Sequence, residues 1–229
     1  MSTNNNIILK KIEQGEGQHL DFKHSINDSR KIARSLSAFA NTDGGVLLIG
    51  VKDNGSVKGI RSDEEYYMVE TAAHIFCKPE LKFNHKLWNV SGKNVLEIIV
   101  DEGKDKPYYA PDEKGDYKAF VRNNDQNLIA EKIMKEVWKR KKKGVKGVKL
   151  IFNHVAKTLI EQIENKGSIS KPEFIKLTGI KTYIADNILI NLILMNILEF
   201  RLSEKSTRYA FTKEFLNNEK YIDFRFIKK

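Results

Sequence analysis

The sequence predicts an α+β protein in two parts, a first part that mixes strands with helices and a mainly helical second part. In the first part, the run Val46–Val51 is apolar, β-branched and of strand length, and it follows a helical stretch. In the second part, residues 147–212, three helical stretches precede two short strands, which is the order of a winged helix-turn-helix domain. The basic run Lys139–Lys143 lies between the two parts. We therefore predict domains over residues 1–143 and 144–229.

The predicted first domain opens with a helix, a strand and a second helix. Isoleucines near helical spacing predict the first helix over residues 5–14. The segment His19–Lys23 alternates apolar and charged residues, which predicts a half-buried strand with Asp21 and Lys23 on its charged face. Asp28 has the residue type of an N-cap, and it precedes a stretch with helical periodicity that runs to Ala40.

Turn residues stand on both sides of the central strand. The pair Gly44-Gly45 can adopt positive φ angles without a steric penalty and predicts a tight turn before the strand. After the strand, Asp53-Asn54-Gly55 has the composition of a hairpin turn. We therefore expect residues 56–60 to return antiparallel to the central strand.

The rest of the first domain continues this mixture. The predicted elements are a helix from Ser62 to about Cys77, a hairpin of Leu81–Val90 with Asn94–Val100, a strand over Tyr117–Arg122 and a helix over residues 125–140. In the first of these helices, Ile75 is expected to face the core.

The predicted second domain contains a candidate recognition helix from about Lys181 to Met195, followed by a two-stranded wing. The outward residues of this helix are polar or aromatic and could contact base edges or phosphates; they are Lys181, Thr182, Tyr183, Asp186, Asn187 and Asn191. The candidate nucleic-acid contacts are Lys181, Tyr183 and Asn187 on the helix and Arg201, Lys205 and Arg208 on the wing. Winged helices also serve as dimerisation or protein-binding modules, so a homodimer or a protein partner stays open.

Composition narrows the function classes. The 40 basic and 30 acidic residues give a net charge of +10, which favours an anionic partner, most often nucleic acid. Residues 1–143 carry a net +4 and residues 144–229 a net +6. Cys77 is the one cysteine, so the chain can build neither an internal disulfide nor a cysteine-rich zinc site. No apolar run has membrane-spanning length and no signal-peptide core is visible, so we expect a cytoplasmic protein without a membrane partner.

A set of motifs, taken in order, resembles the Schlafen AlbA-2 domain. The matching stretches are Glu16 with Leu20–Lys23, Ala38–Gly45, Ile49–Gly55, Lys58-Gly59, Lys78-Pro79, Pro107–Tyr109 and Tyr117–Arg122. The resemblance covers about residues 10–140. It implies an AlbA-2-like mixed sheet with helices packed on it and nucleic-acid binding. In bacteria, such a domain joined to a winged helix is described as a transcriptional regulator.

The resemblance also implies an alternative function. In animal Schlafens a related domain is an endoribonuclease that uses three carboxylates, and by motif those positions fall on Glu16, Asp21 and Asp53. Such oxygen ligands suit Mg²⁺ or Mn²⁺, which would support cleavage of structured RNA such as tRNA. Asp21 departs from the usual glutamate, and the zinc site of animal Schlafens cannot be built here. Without the resemblance, the sequence favours structural roles for the three acids, with Glu16 as a solvated loop acid, Asp21 paired with Lys23 and Asp53 as a turn residue.

Lys23 and Arg122 are candidates for phosphate contacts beside these acids. Arg122 ends a strand that is expected to face the same groove, with a structural ion pair as the alternative. The Gly44-Gly45 turn lacks the GxxxxGK[ST] pattern, so we expect no P-loop for ATP.

Overall fold

The chain folds into two compact units, residues 1–130 and 131–229. The computed structural model describes residues 3–145, 154–204 and 206–217, with side chains from residue 7 onward. The predicted boundary at residue 143 therefore differs from the observed division, which falls after Ala130. The sequence also predicts a strand near Tyr221–Ile227, which lies outside the described residues.

The first unit is built on a four-stranded mixed sheet in the order β1-β2-β4-β3. Its strands are β1 (Leu20–Lys23), β2 (Gly45–Ile49), β3 (Asn84–Val90) and β4 (Lys93–Val100). Strand β1 runs parallel to β2, whereas β2 with β4 and β3 with β4 are antiparallel. The predicted β3–β4 hairpin is confirmed.

The predicted antiparallel return of residues 56–60 is present only as a short contact and not as a regular strand. It consists of one antiparallel bridge, Val51 with Val57, and of backbone hydrogen bonds that include those from Lys58 and Gly59 to the carbonyl of Gly50. The reason is that β2 lies between β1 and β4, so both of its edges are already hydrogen-bonded. The chain instead turns away at Gly50, whose φ of +96° is open to glycine but strained for other residues.

Helices cover both faces of this sheet. They are α1 (Thr3–Gln14), α2 (Ser29–Asn41) and α3 (Glu64–Thr71), the last continuing as a π-helical turn over Ala72–Phe76. The predicted cap is confirmed, because the Asp28 side chain accepts the N–H of Arg30. Alternate residues of β2 point to opposite sides, Leu47 into the core under α2 and Leu48 into the core under α1. The predicted inward direction of Ile75 is wrong: the π-helical turn changes the helical phase, and Ile75 is 62% exposed.

A second, three-stranded sheet of the first unit packs against α2. Its strands, in the order β5-β6-β7, are β5 (Tyr109–Pro111), β6 (Tyr117–Asn123) and β7 (Gln126–Ile129). The segment of β7 was predicted to be helical. Asn124 adopts a φ of +54° and turns the chain straight back, so residues 126–129 pair with β6 instead. Asn41 at the end of α2 binds this sheet through hydrogen bonds with the backbone of Tyr108 and Phe120.

The second unit has one core of helices around a small sheet. Its elements are α4 (Lys132–Lys142), α5 (His154–Lys166), β8 (Ile169–Ser170), α6 (Lys171–Thr178), α7 (Thr182–Leu194), β9 (Leu198–Arg201), β10 (Arg208–Phe211) and α8 (Lys213–Leu216). The strands pair antiparallel in the order β8-β10-β9. The predicted helices and the wing hairpin are present where described, with Ser170 capping α6 in a full capping box. This is the element order predicted for a winged helix, an assignment that stays a prediction.

In the described part of the chain, no single helix is long and apolar enough to cross a membrane. Helices α6 and α7 reach that length and composition only as a pair, across a bend of 120°.

Candidate nucleic-acid interface and the acidic pair

Asp21 belongs to a closed ring of hydrogen bonds that joins four elements of the first unit. It lies on β1 and is 3% exposed. Its carboxylate accepts from Ser35 Oγ of α2 at 3.1 Å and from Arg122 Nη2 of β6 at 3.4 Å. Asn127 of β7 closes the ring by accepting from Arg122 and donating to Ser35, both at 3.1 Å. Lys23 Nζ adds a contact to Asp21 at 3.0 Å.

Glu16 lies beside Asp21, and the pKa values of the two carboxyl groups are shifted in opposite directions. Burial raises the pKa of Glu16, the hydrogen bond with Asp21 raises it further, and the N–H of Phe22, donated at 2.7 Å, opposes both. Burial would also raise the pKa of Asp21, but Lys23 and Arg122 outweigh it and hold that pKa below its ordinary value. Of the two carboxyl groups, Glu16 is therefore the one that takes up a proton more readily.

The third predicted acid does not join this pair. Asp53 lies in the exposed turn after β2, which is closed by its own backbone bonds between Lys52, Gly55 and Ser56. In the part of the chain that the structure describes, no three His, Cys, Asp or Glu side chains are placed to hold a metal ion. The expected convergence of Glu16, Asp21 and Asp53 is therefore absent, and these residues do not fit the Mg²⁺ or Mn²⁺ site that the resemblance implies.

Arg122 is a structural cross-link of the first unit rather than an exposed cation. Its guanidinium also donates to the carbonyls of Gly17 at 3.1 Å and Leu20 at 3.2 Å, and its side chain is 1% exposed. A phosphate contact needs an accessible donor. The burial of Arg122 therefore argues against the phosphate contact that we expected from this residue. Lys23 lies at the edge of the same site with its side chain 36% exposed, and it shares its ammonium group between Asp21 and the carbonyl of Phe22.

An open groove of about 890 Å³ lies over this ring, between α2 and the β5–β7 sheet. Its charged lining is nearly balanced, with the basic residues Lys23, Lys31, Arg34, Lys114, Lys118 and Arg122 and the acidic residues Asp21, Asp112, Glu113, Asp116 and Asp125. Several of these charges already pair, for example Lys118 with Asp116 at 3.4 Å. The groove therefore offers a polyanion little net attraction.

In the second unit, the first turns of α7 are open to solvent. Lys181, Tyr183 and Asn187 are exposed, as predicted from the sequence, and Tyr183 is 62% exposed. Asp186 was expected to face outward too, but it is buried. Lys171 Nζ lies 3.2 Å from its carboxylate and Lys132 Nζ 3.9 Å away. Asp186 thus pairs with lysines of its own unit and does not present a free carboxylate to phosphate at the surface.

The cations predicted on the wing are largely engaged within the protein. Arg208 donates to Ser168 at 2.9 Å and pairs with Glu173 at 3.0 Å. Arg201 lies 3.7 Å from Glu199 on the surface. Lys205 falls outside the described residues. Phosphate contacts by Arg208 would require the loss of these internal bonds.

Sequence reasoning missed the position of α4. Its residues Ile133 and Val137 belong to the same core as Leu189 and Tyr209 of the second unit. Arg140 Nη2 donates to Asn187 Oδ1 of α7 at 3.3 Å. The helical spacing of Ile133 and Val137 did indicate a buried face, but it could not indicate which domain would bury it.

A sequence model described as Schlafen, AlbA_2 matches residues 16–131, just over half of the chain. The chain belongs to the Schlafen AlbA_2 family. No curated protein matches it. Among solved structures, it is similar to the DIP2311 protein from Corynebacterium diphtheriae, with 18% identity and a TM-score of 0.43 over 65% of this chain and 34% of that one. It is also similar to the N-terminal domain of a protein from Nitrosomonas europaea named as related to the ATP-dependent DNA helicase RecG, with 22% identity and a TM-score of 0.40 over 57% and 97%.

Membership of the Schlafen AlbA_2 family supports a nucleic-acid-related role. The observed division of the chain after residue 130, rather than after residue 143, changes how the net charge is distributed between the two units. The unit that contains nearly all of the AlbA_2 match, residues 1–130, has 18 basic and 19 acidic residues, a net charge of −1. The second unit, residues 131–229, has 22 basic and 11 acidic residues, a net charge of +11. The whole positive excess thus belongs to the second unit, because α4 and the residues that follow it carry so many lysines.

Proposed function

We propose that this Schlafen AlbA_2 protein binds nucleic acid chiefly through its second unit and acts as a transcriptional regulator. The observation that carries the proposal is the charge of +11 on residues 131–229 against −1 on residues 1–130. Neutralisation of phosphates by lysine and arginine releases counterions and supplies most of the sequence-independent affinity for DNA.

The geometry of the second unit adds to this support. Its element order agrees with the predicted winged helix, and the start of α7 presents Lys181, Tyr183 and Asn187 to solvent. Side chains of these types contact phosphates and base edges in protein–DNA complexes. Family membership of the first unit is consistent with the same role.

The experiment is a binding titration of the full chain by fluorescence anisotropy at several salt concentrations. The probes are a mixed-sequence DNA duplex and a single-stranded RNA of equal length. We expect log K for the duplex to fall linearly with log salt with a slope of about −4 to −8, as for several phosphate contacts. Absence of binding, or binding that does not change with salt, would contradict the proposal.

The alternative suggested by the family resemblance is a metal-dependent endoribonuclease. Glu16 and Asp21 do lie together, but Asp53 does not join them in a three-ligand group among the described residues. Incubation of the full chain with tRNA and Mn²⁺, with and without EDTA, separates the two functions. We expect intact tRNA in both reactions; cleavage that EDTA abolishes would establish the nuclease instead.

A further inference from the structure

We infer that α4 and the exposed side of α7 form one surface that contacts the phosphate backbone of duplex DNA. The inference rests on the proposed function and goes beyond it by naming the surface and the form of nucleic acid. It assigns a binding role to α4, whose basic end includes part of the run Lys139–Lys143 between the two domains predicted from the sequence.

Contacts along α4 hold it beside α7. Ile133 and Val137 pack into the core of the second unit, on the side of α4 that faces away from its lysines. On the adjoining side, Arg140 donates to Asn187 of α7 at 3.3 Å and is itself held by Glu136 at 2.9 Å. The basic side of α4 is thus continuous with the exposed start of α7.

Two lysines on that side are available to an external anion. Lys139 and Lys143 are exposed and lie four residues apart, so they share one face of the helix. Among the described residues, no carboxylate lies within ion-pair distance of either ammonium group. By contrast, Arg208 on the wing already pairs with Glu173, so Lys139 and Lys143 are more accessible to an external anion than Arg208 is.

The shape of α7 favours duplex DNA as the ligand. Tyr183 and Asn187 are one helical turn apart on the exposed side of a 13-residue helix. The major groove of B-DNA is wide enough to admit an α-helix, whereas the major groove of A-form RNA is deep and too narrow for side chains to read. With α7 in the major groove, Lys139 and Lys143 would lie beside it, where the phosphates of the groove edge run.

The test compares two double variants of the full chain that lose the same charge. Lys139→Gln/Lys143→Gln removes the proposed contacts, and Lys166→Gln/Lys213→Gln removes two exposed lysines from α5 and α8. Anisotropy titrations with a mixed-sequence duplex give K and its salt slope for each. For two lost phosphate contacts we expect the slope to fall by about 2 and the affinity at about 0.1 M salt to fall about 60-fold. The control should lose less than about threefold, and Lys139→Arg/Lys143→Arg should bind like the wild type.

The possible results separate the inference from the function on which it rests. Equal losses for the two lysine pairs, with wild-type binding intact, would overturn the α4 surface and leave the proposed function standing. A wild-type chain that binds no nucleic acid would overturn the proposed function itself. A wild type that prefers an RNA hairpin to the DNA duplex, with the α4 variant losing the RNA, would overturn duplex DNA as the ligand. Unchanged unfolding midpoints, followed by tryptophan fluorescence to which Trp138 of α4 contributes, verify that each variant is folded.

Discussion

Replacement of Arg122 by methionine should strongly destabilise the first unit. The guanidinium is 1% exposed, and it donates to four different groups on β1, β7 and the segment before β1. Methionine keeps most of the side-chain volume but leaves the Asp21 carboxylate buried without its arginine. Removal of one partner from a buried ion pair costs about 3–5 kcal/mol, so we expect a loss in that range in the free energy of unfolding.

The measurement is urea unfolding followed by tryptophan fluorescence. Trp88 lies in the first unit and Trp138 in the second, so a Trp138→Phe background leaves one reporter for the unit that contains Arg122. Arg61→Met is the matched control, because Arg61 is exposed and the same chemical change there should cost less than about 0.5 kcal/mol.

A loss below about 1 kcal/mol for Arg122→Met would refute the argument that this arginine holds the ring together, because that is the size of an ordinary exposed ion pair. A double-mutant cycle with Asp21→Asn adds a second check. The two losses should be clearly less than additive, since each variant breaks the same pair.

Three further predictions concern the same fold. The pKa of Asp21 is lower in the folded protein than its ordinary value of 3.8. The ionised carboxylate therefore contributes its full stabilisation above pH 3.8, and this contribution is lost as the pH falls through the lower pKa of the folded state. The difference in stability between wild type and Asp21→Asn should accordingly shrink in acid unfolding experiments below about pH 4. Gly45→Ala should cost about 1–3 kcal/mol in urea unfolding because its methyl group would lie 2.3 Å from the buried Phe39 ring, whereas Gly17→Ala, with nothing within 4 Å, should be nearly neutral. Tyr209→Phe should leave the stability of the second unit unchanged or raise it by up to about 1 kcal/mol in thermal unfolding, because the buried Tyr209 hydroxyl has no hydrogen-bond partner among the described residues. A large loss of stability would reveal such a partner.

Local signals in the sequence were sufficient for most individual elements. The Asp28 cap and the β3–β4 hairpin each depend on residues close together in the chain. Patterns of this kind act through the backbone within one or two turns, so a single sequence contains them in full.

Partner choice between distant segments was not predictable in the same way. Val46–Val51 has a strand pattern, but the pattern does not say that β1, more than 20 residues earlier, occupies one edge in parallel and β4 the other. Because both edges of β2 are taken, residues 56–60 make only a short antiparallel contact just beyond its end, where Val57 bridges Val51. The same limit applies to α4: its apolar spacing predicts a buried face, and only the three-dimensional structure shows that the second unit buries it.

The candidate site contains residues whose placement was predicted from the sequence and residues whose placement was not. Exposure of Lys181, Tyr183 and Asn187 follows from helical periodicity and was predicted. The burial of Asp186 was not predicted, because its carboxylate lies beside lysines of two other helices, Lys132 of α4 and Lys171 of α6, whose positions local periodicity does not specify. The three-acid site required Asp53, in the turn after β2, to come together with Glu16 and Asp21, a long-range relation that the turn motif alone does not specify.

The most direct test of the account is to map where nucleic acid touches the full chain. Ultraviolet cross-linking of the protein to a DNA duplex, followed by peptide mass spectrometry, identifies the contacting segments. The account predicts cross-links within residues 131–217, with Tyr183 and its neighbours on α7 prominent, and few within residues 16–130. Cross-links confined to the AlbA_2 unit, around the groove that contains Lys23 and Lys118, would contradict it.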